Sequence, residues 1–346
     1  MLQRKHLHSI GILALTVVTL SAYGAETIYI AGAGGSKEKF FKEKVIPAFQ
    51  SRTGAEVVYI SGNSTDVLAK LKAQKGKQEI SFAMIDDGPM YQAVGEGLCA
   101  TMEDGPVFKE LYANARMIGA KSVGLSFIAT GLVYNKAVFA KNGWKPPVSW
   151  LDLADPKYKQ KVVIPPIANG YGLLTLVMMS RLHGGDEDKM DPGFEAMAKK
   201  IGPNVLAWEP SPGKMAQMLQ TGEAALAVWG NTRVQPLVEQ GAPIEFVYPK
   251  EGAVALMNAG CVVEGAPQPK LAQQFLQHVL AAETQAAAAV SEGSGPVNRT
   301  TKITPEVAQR VVYGPEKVNA MVSANYAIIN PRRAAWTQRW NREVER

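Results

Sequence analysis

Apolar residues in this chain fall into short runs that switch between a period of two and a period near 3.6. Thr27–Ala31 is a β-rich run, and Gly32–Ser36 is a loop after it. Lys37–Ser51 has helical spacing through Phe40, Val45 and Phe49, with Pro47 as a kink or stop. Ala55–Ile60 reads as a second strand. Ser64–Gln74 reads as a helix with Val67, Leu68 and Leu71 on one face, capped by Asn63 or Ser64 and ended by Gly76. Ser81–Ile85 is a third strand. This β-α-β-α-β order predicts a parallel sheet with right-handed crossovers.

A second α/β unit follows Tyr134. Its strands are expected at Lys161–Pro165, Ala224–Trp229 and Ile244–Tyr248, and its helices at Tyr171–Leu182, Gly213–Gln220 and Thr232–Gln240. Asn142–Pro147 and Asp152–Lys161 read as loops. A strand over Ala259–Val263 leads into one long helix, Pro269–Glu292, ended by Gly293.

Length adds a division to this pattern, since 346 residues imply two domains. A hydrophobic content of 47% excludes a disordered chain. Residues 1–25 read as a secretory signal peptide: Arg4 and Lys5 give the positive start, Ile10–Leu20 the apolar stretch, and Ala22-Tyr23-Gly24-Ala25 the small residues at the cut. The apolar run is too short to span a bilayer, and no Cys follows it for a lipid anchor. The expected location is the periplasm. Without the signal, 35 basic residues face 31 acidic ones, a formal charge of +4. No Lys/Arg run exceeds two, so a nucleic-acid partner is not expected. Two Cys and four His argue against a disulfide scaffold and a zinc site. Cys99 and Cys261 are read as two unpaired thiols in preference to a pair.

Candidate chemistry collects at strand ends. Gly34, Gly35 and Ser36 follow the first strand. Lys37 stands where a dinucleotide fingerprint needs Gly, so these residues suit a carboxylate, phosphate or phosphonate. Asn63, Ser64 and Thr65 follow the second strand and open a helix. Asp86 and Asp87 end the third, where they serve as a cap or hold an ammonium group. All three segments share the crest at which open α/β sheets bind ligands. Asn169, Tyr171, Trp208, Trp229 and Asn231 sit at comparable junctions of the second unit and suggest a cleft. No G-x-S-x-G, H-E-x-x-H, C-x-x-C or P-loop occurs, and His183 and His278 read as structural. An enzyme is therefore not expected, nor is a cofactor or metal.

The signal, "STDVLAKLKAQKG" after Asn63, Ile85–Pro89, "TGLVYNK" at Thr130–Lys136, "PVSWLDLADP" at Pro147–Pro156, Ala227–Asn231 and "YPKEG" at Tyr248–Gly252 together resemble periplasmic solute-binding proteins of ABC importers. The resemblance is to the polyamine-binding group and its iron(III)- and phosphonate-binding relatives, and it covers nearly the whole chain after the signal. It implies the α/β two-lobed type II binding-protein fold, each lobe a mostly parallel sheet flanked by helices, with ligand in the cleft between. It implies crossovers near Gly131–Tyr134 and Val254–Asn258. One lobe is then 26–131 with 257–300, and the other 132–256 with the tail 301–346. It also implies hinge closure, delivery to a membrane permease, a monomer, and no bond made or broken. Polyamine binders that the chain resembles place a carboxylate in the stretch held here by Ala168–Tyr171, and an aromatic and an Asp where Leu256 and Asn258 stand. The iron binders use paired tyrosines, where Tyr326 stands alone. With Gly34–Ser36, Asn63–Thr65, Asp86, Asp87, Asn169, Tyr171, Trp229, Asn231 and Asn258 as the ligand set, the expected ligand is small and zwitterionic or anionic, such as an aminophosphonate or an amino-acid-like compound. A polyamine is the alternative, followed by iron(III) binding or a secreted hydrolase.

Overall fold

A computed structural model describes residues 25–345, so the expected signal lies outside the described residues except for Ala25. The first half runs β1 (Thr27–Gly32), α1 (Ser36–Phe40), a π-helical turn over Phe41–Val45, α2 (Ile46–Thr53), β2 (Glu56–Ser61), α3 (Ser64–Ala73), β3 (Ile80–Asp86), α4 (Asp87–Gly95) and α5 (Pro106–Lys109). Strand β4 (Val123–Asn135) leads to α6 (Lys136–Asn142), β5 (Val162–Ile164), α7 (Gly170–Leu182), α8 (Asp191–Glu195), β6 (Val205–Trp208), α9 (Pro212–Thr221), β7 (Leu226–Gly230), α10 (Asn231–Glu239) and β8 (Ile244–Val247). The chain returns through β9 (Val254–Val262) to α11 (Pro269–Leu280) and α12 (Ala282–Glu292). It ends in α13 (Pro305–Arg310), α14 (Gly314–Asn319) and α15 (Tyr326–Glu343).

The strands form one curled mixed sheet in the order β2-β1-β3-β9-β4-β7-β5-β6, with β8 against β4. The parallel pairings expected from the β-α-β-α-β start are present: β1 lies between β2 and β3, parallel to both. Strands β4 and β6 have no counterpart in the sequence pattern, and β9 has one over its second half only. β4 is buried at every position, so its sequence carries no alternation to read. β9 extends well before the Ala259 start expected for it. β4 and β9 pair antiparallel from Val123↔Gly260 to Thr130↔Val254. β4 then continues against β7 and β8.

These two strands feed separate cores. Val123, Leu125, Phe127 and Val262 join the core around Phe41, Phe49, Phe82 and Phe275. Ile128, Leu132, Val133, Val254 and Leu256 join the core around Trp150, Tyr158, Phe194 and Trp229. The tail is divided between them: Val312 and Val318 pack in the first core, and Tyr326, Ile329, Trp336 and Trp340 in the second. The expected single helix over Pro269–Glu292 breaks at Ala281, which takes extended backbone with ψ 141°. The break lets Gln285 donate to the Leu125 and Val279 carbonyls, both at 2.9 Å, and accept from the Val297 N–H. Helix propensity alone does not resist such specific bonds to a buried strand.

The reading of Cys99 and Cys261 as unpaired is corrected: they form a disulfide, with Cα atoms 5.7 Å apart across 162 residues of sequence. Cys99 bridges to Val263 beside the end of β9, which sets the two thiols together in a way that sequence spacing does not reveal. Closing so long a loop restricts the unfolded chain. The C99A/C261A double variant should lose about 2–4 kcal/mol in urea unfolding relative to the oxidised protein.

Candidate functional site

Where strands β1, β2 and β3 end, helices begin, and their first residues line a cleft with Ile128 of β4 and Leu256 and Asn258 of β9. Asn63 caps α3, its Oδ1 accepting from the Asp66 N–H at 2.9 Å and from the Thr65 hydroxyl at 2.6 Å. Asn169 caps α7 by accepting from the Tyr171 N–H at 2.9 Å. Both helix starts bring backbone N–H groups that the helix's own ladder does not use, with the positive end of the helix dipole behind them. A cleft of about 640 Å³ lies between these helix starts. Gly34, Gly35, Ser36, Asn63, Ser64, Thr65, Asp86 and Asp87 line it from one side, and Asn169, Tyr171 and Asn258 complete the set.

Three of the junction residues stand elsewhere: Trp208 lines a different hollow and packs on Trp340 at 4.9 Å, and Trp229 and Asn231 are turned away from the cleft. Trp229 is buried in the second core at 3% exposure. Asn231 accepts from the Ala129 N–H at 2.9 Å and donates to the Gly293 carbonyl at 3.0 Å, so its amide ties β4 to the end of α12. Neither is among the cleft's lining residues. Both were singled out because they end a strand on the correct crest, but the side chain of a strand's last residues can face either way. His278, against Phe49 with Nε2 3.1 Å from the Val45 carbonyl, and His183 are also absent from the lining.

The cleft also holds charged groups that no local sequence signal selects: Lys37, Arg233, Glu292 and Arg333. Lys37 donates to Asn258 Oδ1 at 3.3 Å. Arg333, on α15, donates to the Ala168 carbonyl at 3.0 Å. Arg233 bonds the Tyr171 hydroxyl, whose ring packs so closely on Gly230 that a Cβ there would stand 2.3 Å from the hydroxyl oxygen. Tyr326 is not alone, because Tyr171 lines the same cleft and the Tyr91 ring packs at 5.7 Å. Its hydroxyl is bonded to Asp87.

The paired aspartates divide their work. Asp87 is enclosed at 7% exposure and accepts from the Gly88 N–H at 2.9 Å and the Met257 N–H at 3.2 Å. It braces α4 against β9. Burial first, and then the neighbouring Asp86 charge, push its pKa up to about 7. The Asp86 N–H donates to Ser64 Oγ at 3.1 Å. Burial raises the Asp86 pKa as well, against the opposing pull of Ser64, Arg233, Lys37 and Asn258. Of the two carboxyl groups, Asp86 is the one set among the cleft's cations.

A larger hollow of about 840 Å³ lies at the sheet edge, between β6 and the ends of α8 and α15. Several of its charged groups are spent on one another: Arg339 bonds Glu343 at 2.8 Å, and Lys199 bonds Glu195 at 2.9 Å. It lacks the convergent caps and buried carboxylates of the smaller cleft, which makes the smaller one the candidate site.

The Asp87 environment has a pH consequence. The folded protein keeps a proton that the unfolded chain releases near pH 3.8, so the Asp87 contribution to stability declines as pH rises from about 4 to about 7. Urea unfolding across that range should show a flatter pH dependence for D87N than for the wild type. An identical slope in both proteins would contradict this placement of Asp87.

The chain matches the family described as bacterial extracellular solute-binding protein over residues 44–312. It is similar to the spermidine/putrescine-binding periplasmic protein of Salmonella typhimurium, at 23% identity over 91% of this chain and 88% of that protein. It is also similar to a provisionally named 2-aminoethylphosphonate-binding periplasmic protein of the same species, at 23% identity over 86% of this chain and 85% of the relative. The solved structure of the periplasmic binding protein AfuA from Actinobacillus pleuropneumoniae, with exogenous fructose-6-phosphate bound, superposes with a TM-score of 0.76 at 20% identity, covering 93% of this chain and 98% of that one. With a curled α/β sheet, a cleft at its central seam and a family match over most of its length, the chain belongs to the bacterial extracellular solute-binding proteins and has the periplasmic binding protein fold.

Proposed function

We propose that this chain is the periplasmic solute-binding component of an ABC importer, and that its ligand is a small molecule with a negative end and one amine, such as an aminophosphonate or an amino-acid-like zwitterion. The observation that carries the ligand class is the charge arrangement of the cleft. Lys37, Arg233 and Arg333 share the space lined by the first residues of α3 and α7. A phosphonate or carboxylate gains charge-assisted bonds there. Asp86 is the counter-charge for a single amine. A polyamine, with ammonium groups along its length, would meet three cations in the same cleft, and Asp87 and Glu292 already have partners within the protein. The similarity to a relative named for 2-aminoethylphosphonate is consistent with this reading.

In this proposal the halves 26–131 with 257–300 and 132–256 are lobes that close on the ligand about β4 and β9. The tail contributes to both, and the closed form is handed as a monomer to a membrane permease. The binding step makes and breaks no bond, so no cofactor is required.

A calorimetric and thermal-shift panel of 2-aminoethylphosphonate, amino acids, simple phosphonates, putrescine, spermidine and ferric citrate tests the reading. A zwitterion or anion should raise stability by roughly 2.7 kcal/mol at a hundredfold excess over its Kd. Arg233→Ala should weaken that ligand by about 10- to 100-fold while leaving the unliganded melting temperature near the wild-type value. A response confined to spermidine or putrescine would overturn the ligand class.

A further inference from the structure

Glu292 is a carboxylate at the cleft wall with 5% exposure, and its Oε2 accepts no hydrogen bond. The cation beside it is Lys37, with Nζ 3.7 Å away. The same Nζ donates to Asn258 Oδ1 at 3.3 Å. The Lys37 charge also reaches Asp86. Lys37 is itself largely enclosed, its side chain 17% exposed and its ammonium 5.7 Å from the centre of the Phe41 ring. All of these polar groups face the cleft.

Helix stability does not account for the Lys37–Glu292 pair. Lys37 is the second residue of α1, and Glu292 is the last residue of α12, which packs beside it. A cation at a helix N-terminus and an anion at a helix C-terminus both oppose the dipole, and exchanging the two charges would favour both helices. The ammonium is therefore held by the groups against it, a buried carboxylate at 3.7 Å and an amide oxygen at 3.3 Å.

We propose that Glu292 and Asn258 form a cation subsite of the cleft, and that Lys37 fills this subsite with the chain's own ammonium group, so that the cleft selects ligands with a negative end against free diamines and polyamines. The inference deepens the functional reading above and rests on it for the identity of the cleft. The selection follows from two unfavourable choices for an incoming polycation. If Lys37 stays, the second ammonium stands beside the first in an enclosed space, where like charges repel strongly. If Lys37 leaves, its own charge must be resolvated and its contacts given up. Removing Lys37 reverses the situation, because it leaves Glu292 as a buried acid without its counter-cation. The vacated volume matches a primary ammonium on a short alkyl stem, which is the end of a diamine.

The experiment compares wild type, Lys37→Ala, and Lys37→Ala with Glu292→Gln by calorimetry and thermal shift against ethylammonium chloride, putrescine and spermidine. Titration of 2-aminoethylphosphonate is run in parallel. The single variant should bind putrescine or spermidine about tenfold or more tightly than the wild type, and ethylammonium should raise its melting temperature more than that of the wild type. The double variant should lose both gains. Lys37→Ser, a second truncation that vacates the stem, is read for ethylammonium rescue in case alanine prevents folding. Absence of amine gain in the folded single variants, an equal gain in the double variant, or tight spermidine binding by the wild type would overturn the subsite. A gain by Lys37→Ala supports the subsite whether or not the wild type takes 2-aminoethylphosphonate, so the outcome for the functional reading is scored separately.

Discussion

The antiparallel pairing of β4 with β9 is the constraint on which the rest of this structure depends. Each strand begins in one core and ends in the other, and the pairing from Val123↔Gly260 to Thr130↔Val254 is continuous apart from one irregularity. Because both strands are obliged to pass through the middle, the helices that follow the neighbouring strands open toward the same seam. The cleft is thus a consequence of strand connectivity, and the loops decorate it.

A cleft made this way starts with a surplus of positive potential. The first residues of α3 and α7 line it, at the positive ends of their helices, and Lys37, Arg233 and Arg333 add full charges. The acids Asp86, Asp87 and Glu292 offset part of that surplus in different ways. Asp87 is a structural brace, bonded to two backbone N–H groups and the Tyr326 hydroxyl. Glu292 is engaged by Lys37, and Asp86 stands among the cations. What an incoming ligand meets is the difference between these groups, which differs from a count of acids along the chain.

The tail links this electrostatic arrangement to the architecture. Tyr326 and Arg333 on α15 reach the cleft, while Trp336 and Trp340 anchor the same helix in the second core. Asn330 donates to the Gly88 carbonyl at 3.2 Å and Arg333 to the Ala168 carbonyl, so one helix touches both banks of the site. A segment that looked separate from the binding surface in sequence contributes directly to it.

The sequence by itself determined many of the local elements and the parallel pairing of β1, β2 and β3. The strand and helix starts around Thr27, Ser64 and Ile80 follow from alternation, caps and glycines that act within a few residues, and the glycine-rich and capped turns mark where a ligand-facing crest forms. Eleven of the thirteen candidate residues therefore fall on one cleft, while Trp229 and Asn231 do not. Tertiary structure decided what local signals do not encode. It decided the course of the uniformly buried β4, the break at Ala281 and the bond between Cys99 and Cys261, each set by partners more than a hundred residues away in the chain or by burial on both faces. It also decided the charge balance of the site. Lys37, Arg233, Glu292 and Arg333 are ordinary surface residues in one dimension, and only packing brings their charges within reach of one another.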